Sequence, residues 1–410
     1  MSRLLTLAMR ALASLMAFMA ASGHADAQRA YTHSLELDAS PGLTLHTSPY
    51  FSGTNPLDHN FGPMIQGSLR WSASLTPGTD AWRLWPGLRM GVGVKALSLL
   101  KPSLTGSPVG VFVFQGADLH RFSRRLSLAY EWQFGATAPW QIMGSSHPDQ
   151  AVNGSPVCAL LGSSLLLRYD AGRNWAITAG VDLAHYSNGN TRWPNAGTNT
   201  AGIRIGVART LGQSGSGPRL SHTDTIAVGS LKSRERWFVD LLLYGAWRKK
   251  CYHDDMDEPW PFPDYFGVAG INIAPSYRLS RRFSVGPSVD FVFDESAVPE
   301  SNIIDNDSGE QPYYIRPPFL QQTAIGIAAQ AEYSMPVFSL HVSLGYNLLA
   351  GCAELRYFYQ TLALRTFVTP RMWLNVGYSL RNFAHPRHLM LGIGFRIGSR
   401  APSSIAQTDL

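Results

Sequence analysis

The chain has 410 residues, 15% of them charged, with a formal net charge of +6. That excess is small for the length, and no basic tract or basic helix accompanies it, which argues against a nucleic-acid partner; scattered arginines can still meet anionic lipid headgroups. The three cysteines Cys158, Cys251 and Cys352 lie far apart, with no CxxC and no metal-type spacing, so at most one disulfide and one free thiol are expected and no metal or other cofactor is implied.

The first element is a leader. Arg3 and Arg10 are followed by a short apolar run over residues 11–22 and by small residues at Ala25-Asp26-Ala27, the pattern of a secretory signal peptide, residues 1–27, cleaved after Ala27. The run is shorter than the roughly 20 apolar residues a membrane-spanning helix needs, and no later run reaches that length.

Beyond the leader the chain alternates with period 2. Over 126–135, Leu126, Leu128, Tyr130, Trp132 and Phe134 share one face and Ser127, Ala129, Glu131, Gln133 and Gly135 the other. Residues 175–187, 203–207, 283–294, 338–347 and 389–397 repeat the pattern, which specifies strands with one apolar face and one polar or small face. A soluble sandwich turns the apolar face inward; a transmembrane barrel turns it to lipid. Segments of about ten residues, aromatic residues near their ends, and Glu131, Asp182, Arg204, Asp290 and Arg396 on the polar faces favour the membrane.

Connections agree. Residues 121–125, 170–174, 280–282, 334–336 and 368–371 are short; 137–156, 250–266 and 294–322 are long, as expected of periplasmic turns and external loops. The stretch 211–235, rich in Gly and Ser, breaks the rule on the short side. The expectation is an all-β protein: one transmembrane antiparallel outer-membrane β-barrel over 28–398, with about 14–16 strands, followed by a flexible C-terminal tail over 399–410.

The same parity places one polar group where apolar residues belong. In 175–187, Trp175, Ile177, Ala179, Val181 and Leu183 form the apolar face, and His185 and Ser187 continue it. Counting back from Ile203 puts Asn199 on the apolar face of the next strand. Polar groups facing lipid are costly unless paired. A serine hydrolase acting on the membrane accounts for them: Ser187 as nucleophile, His185 as base, Asn199 accepting the other imidazole N–H, and Asn188, Gly189 or Asn195 stabilising the oxyanion. The plainer account is that strand ends at an interface are wet, and that Asn-Gly and Pro-Asn-Ala-Gly are turn residues first.

Other groupings are weaker. His253, Asp254, Asp255, Asp257 and Glu258, and Asp294, Glu295, Glu300, Asp305, Asp307 and Glu310, form acidic loops that fit no defined cation loop and are expected to be solvated. Gly-x-Gly pairs at 91–95 and 392–395 sit within strands rather than in phosphate loops. Ser145, Ser146 and His147 lack any partner by parity.

At residues 185–199 the chain resembles the PagL-type lipid A 3-O-deacylases, and more closely their longer relatives, the acyloxyacyl hydrolase family proteins. The pattern H-[FY]-S-N-[AG]-x-x-x-x-P-N-x-G-x-[EN] is met by His185, Tyr186, Ser187, Asn188, Gly189, Pro194, Asn195, Gly197 and Asn199. VFQGADLHRFSRRLSLAYEWQFGA (113–136) and NWAITAGVDLAHYSNGNT (174–191) resemble the longer relatives, and a weaker likeness reaches GIGFRIG (392–398). The resemblance implies an outer-membrane enzyme that cleaves an ester-linked acyl chain from lipid A or lipopolysaccharide of the outer leaflet, with the matching histidine as base and the matching serine as nucleophile. The short deacylases carry Glu where this chain has Asn199, and they lack strands matching those after residue 236. A barrel that has lost catalysis and serves as a pore or binding protein is the alternative, and a homodimer is a possible assembly.

Overall fold

A computed structural model describes residues 31–75, 85, 87–142, 152–211, 236–253, 259–280, 282–297, 303–304, 313–314, 316–335, 338–383 and 385–398. The proposed leader, the tail after 398, residues 212–235, most of both acidic loops and Ser145, Ser146 and His147 lie outside the described residues. The strands close into two antiparallel barrels of eight, and the described residues divide into two compact units accordingly. The first barrel is β1 (Tyr31–Leu45), β2 (Pro63–Leu75), β3 (Arg89–Ser98), β4 (Gly106–Arg121), β5 (Leu126–Trp140), β6 (Cys158–Gly172), β7 (Trp175–Ser187) and β8 (Thr198–Leu211). It closes by pairing β1 with β8, from His33↔Leu211 to Leu45↔Asn199.

The second unit begins with β9 (Trp237–Arg248) and a small hairpin, β10 (Cys251–His253) with β11 (Pro259–Pro261). It continues through β12 (Phe266–Arg278), β13 (Phe283–Asp294) and a second small hairpin, β14 (Ile303–Ile304) with β15 (Tyr313–Tyr314). It ends with β16 (Thr323–Ser334), β17 (Ser339–Ala350), β18 (Phe358–Phe367), β19 (Met372–Arg381) and β20 (His385–Gly398), where β20 pairs β9. The sixteen barrel strands match the expected count, but the expected single ring is two rings. Alternation specifies which face of a strand is apolar; it carries no information on which strand closes on which. The long connection on the short-turn side, 211–235, is the stretch of chain between the barrels.

Both barrels are apolar outside and polar inside. Leu35, Leu37, Ile203, Ile205, Leu243, Ile273, Ile327 and Ile393 are exposed, whereas Glu36, Asp38, Arg70, Glu131, Arg204, Asp240, Glu332, Arg365 and Arg396 are buried. Eight strands enclose a space that side chains fill. In the first barrel Arg204 donates to Glu131 (2.7 Å) and Glu36 (3.1 Å), and Arg70 pairs with Asp38 (2.7 Å) and with Glu131. In the second, Arg396 donates to Asp240 (2.8 Å) and Glu332 (3.1 Å), and Arg365 to the same two carboxylates (3.2 and 3.1 Å). A charge out of water is tolerated only when so paired. Paired side chains fill both interiors, so a passive channel through either barrel is not supported.

The long-loop end of the first barrel holds its apolar core. Tyr50, Phe51, Phe61, Leu104, Trp140, Val152 and Tyr186 form one buried cluster. Burial pushes the Tyr50 phenol up to about 12, so it stays neutral and donates to the Leu104 carbonyl at 3.2 Å. This plug fixes the ends of the strands on which the candidate site stands.

Candidate active site

Strand β7 lies between β6 and β8, with His185 opposite Leu161 on one side and Asn199 on the other. The outward face of β7 runs Ile177, Val181 and Leu183, all between 47% and 48% exposed, and then His185. The parity expectation therefore holds for the imidazole, which projects from the apolar exterior at the long-loop end. Ser187 follows on the same face, about 6.6 Å further along the strand.

Cross-strand neighbours on one face are close enough to bond, and here they do: His185 Nδ1 and Asn199 Oδ1 are 2.7 Å apart. The orientation of the Asn199 amide is set by its other end. Its Nδ2 donates to Thr47 Oγ1 (2.6 Å) and to the Gly197 carbonyl (3.4 Å). A carbonyl can only accept, so the amide nitrogen faces Gly197 and the amide oxygen faces the imidazole. That oxygen requires the proton on Nδ1 and leaves Nε2 as the basic nitrogen. Gly197 has φ +67°, and a Cβ there would lie 3.3 Å from His185 Cε1, so glycine both makes the turn and leaves room for the ring.

Ser187 meets a second amide. Asn195 Nδ2 donates to Ser187 Oγ (3.0 Å), while Asn195 Oδ1 accepts from Asn188 N–H (3.1 Å) and from the serine hydroxyl (3.2 Å). The Asn188 side chain is buried and donates to the Pro194 carbonyl (3.2 Å), tying the two ends of the hairpin loop together. The expected oxyanion donors thus separate. Asn195 points an N–H at the hydroxyl, the Asn188 N–H is occupied by Asn195, and Gly189 makes a turn with φ +68°. The loop carrying Asn195 is pinned from outside: Gly154 N–H donates to the Pro194 carbonyl (2.6 Å) and Ala196 N–H to the Val152 carbonyl (3.0 Å).

Against this geometry the comparisons are specific. Residues 158–208 match the family model described as lipid A 3-O-deacylase (PagL), and residues 237–399 match acyloxyacyl hydrolase, C-terminal domain. The chain belongs to the PagL-type family. The first match covers β6, β7 and most of β8, with His185, Ser187, Asn188, Gly189, Asn195, Gly197 and Asn199 but not Thr47; the second covers the second barrel. Comparison with curated proteins gives no match. Among solved structures, this PagL-type chain is similar to Neisserial surface protein A (14% identity, 44% of this chain and 95% of that one, TM-score 0.28). It is also similar to the beta domain of the Bordetella autotransporter BrkA (10% identity, 90% and 99%, TM-score 0.23). Likeness this slight adds nothing to what barrel closure already establishes. Family and apolar exterior together make this an outer-membrane barrel protein.

Thr47 was missed in the sequence. It lies two residues beyond Leu45, whose partner across the closing seam is Asn199, so only barrel closure brings it to the site. Val152 and Gly154 were likewise hidden in a long loop. Elsewhere the expectation of solvated acidic loops fails for Asp294, which is buried and accepts from Arg387 at 2.7 Å, and Glu295 pairs with Arg316. Among the described residues no cluster of His, Cys, Asp and Glu could hold a metal ion. The three cysteines are not joined in a disulfide, and Cys158 is among the buried core residues.

Proposed function

We propose that this protein is an outer-membrane esterase that removes an ester-linked acyl chain from lipid A of the outer leaflet, using Ser187, His185 and Asn199. The family supports lipid A deacylation in general. The observation that carries the finer reading is the 2.7 Å bond between His185 Nδ1 and Asn199 Oδ1 on a face otherwise given to Val181, Leu183 and Ile203. A hydrogen-bonded imidazole beside a hydroxyl, turned to lipid, has no packing role to fill.

In the reaction His185 Nε2 takes the hydroxyl proton as Ser187 Oγ attacks the acyl carbonyl carbon. Asn199 Oδ1 holds the Nδ1 proton and so orients the imidazolium. The Asn195 Nδ2–H that now faces the hydroxyl at 3.0 Å is placed to donate to the oxyanion as it forms. His185 then returns the proton to the leaving sugar oxygen, and water, activated by the same nitrogen, releases the fatty acid from Ser187. Asn188 and Gly189 shape the loop that presents Asn195.

The test is the mass of lipid A incubated with purified protein in detergent. The expected result is loss of one acyl chain, with Ser187→Ala reducing the rate by at least ~10³. Lipid A of unchanged mass in the presence of folded wild-type protein overturns the proposal.

A further inference from the structure

At the short-turn end of the first barrel, opposite the candidate site, strand ends surround a cavity of about 450 Å³, within the size range of small-ligand sites. Arg89, Arg121, Arg124, Arg125, Arg168 and Arg173 line it. Two carboxylates share the wall, and both are engaged: Asp118 accepts from Arg121 (2.7 Å) and Ser127 (3.1 Å), and Asp170 Oδ1 from Gly172 N–H (2.9 Å). Glu36, deeper in the barrel, is held by Arg204 (3.1 Å) and Thr178 (3.3 Å). Gly87, with φ +65°, brings backbone so near that a Cβ would lie 2.3 Å from the Asp118 carboxyl carbon, so this part of the wall is built by main chain.

The inner arginines differ from those at the rim. Arg89 is only 6% exposed, and among the described residues neither its guanidinium nor that of Arg168 makes a hydrogen bond or ion pair. Nη1 of Arg168 is buried without a partner. Arg168 is half-buried, and the carboxylates that attract it, Glu36, Asp118 and Asp170, are each bonded elsewhere. Two guanidiniums that line one cavity with no carboxylate bonded directly to either offer a place for an anion from outside the chain. A guanidinium fork matches phosphoryl oxygens in pairs, and a phosphate offers enough oxygens for two forks.

We propose that this mouth binds a phosphate-bearing anion from the periplasmic side, clamped by Arg89 and Arg168 and drawn in by the four exposed arginines. The phosphate comes either from a soluble ester or from a phospholipid headgroup of the inner leaflet. Full-length protein in neutral detergent, titrated calorimetrically with inorganic phosphate and separately with a short-chain phosphatidylglycerol, tests this. The expected result is saturable binding of at least one probe, weakened about tenfold or more in Arg89→Gln and in Arg168→Gln, with acyl hydrolysis unchanged. Binding of phosphate identifies a site open to soluble esters; binding of the lipid alone identifies the headgroup as its source. Each substitution removes one positive charge from a mouth lined by six arginines and two aspartates, so both variants should melt no lower than the ligand-free wild type, which separates lost binding from lost fold. Should either fail to fold, the exposed double variant Arg124→Gln/Arg125→Gln carries the test, with about threefold weaker binding expected. Binding of neither probe, or affinity unchanged in the variants, overturns the proposal.

Discussion

In the first barrel Arg204 sits among Glu36, Asp38 and Glu131 while its neighbour Arg70 lies against the rings of Phe112 and Phe114; in the second, Arg396 sits between Asp240 and Glu332 against Phe238 and Phe367. The interiors follow one plan. The exteriors do not. At its long-loop end the second barrel continues its apolar belt through Trp247, Leu349 and Phe358, where the first has His185, Ser187 and Asn199. The second barrel also contains a histidine–amide bond, His341 to Gln330 at 3.0 Å, but both groups are buried inside it. An imidazole bonded to a carboxamide is thus packing in one place and a candidate for chemistry in the other, and the direction in which the strand presents it tells the two apart.

Substitutions made in parallel can break this comparison. Arg204→Ala and Arg396→Ala each leave buried carboxylates without partners and should each cost ~3–5 kcal/mol of stability in denaturant titrations. Only Arg204→Ala should also lower lipid A hydrolysis, because the proposed site stands on the first barrel; equal losses of activity would mean that catalysis depends on both barrels. Asn195→Ala should lower kcat by about 10²–10³ with the barrel's melting temperature little changed, as for loss of an oxyanion donor. Asn199→Glu should raise the rate about tenfold, the difference between a neutral and a charge-assisted hydrogen bond. The gain is small beside the ~10⁴ that separates Asp from Asn in a serine protease, where the wrong tautomer forms; here Gly197 and Thr47 already orient the amide. Thr47→Val, which removes one of the two acceptors for Asn199 Nδ2, should cost only a few-fold in kcat, consistent with a single neutral hydrogen bond.

What could be read before folding was a matter of parity and of neighbours along the chain. Period-2 alternation put Glu131 and Arg204 inside and Ile203 and Leu183 outside, and the hairpin from β7 to β8 set His185 across from Asn199. Contacts made through closure were out of reach. Thr47 reaches Asn199 across 152 positions of sequence because β1 returns to β8, and nothing in either strand's composition states that it does. The division into two rings was hidden for the same reason, with the long 211–235 connection as its only trace. The Asn188 N–H was expected at the oxyanion and is instead bonded to Asn195, since loop hydrogen bonds depend on turn geometry that residue type leaves open.

The outward direction of His185 has a kinetic corollary. A substrate that reaches it never leaves the leaflet, so encounter is a two-dimensional search, and the concentration that matters is mole fraction in the surrounding lipid rather than molarity in solution. Diluting substrate lipid with an inert amphiphile should therefore slow turnover at fixed bulk concentration, and ordering the acyl chains around the barrel should slow it further.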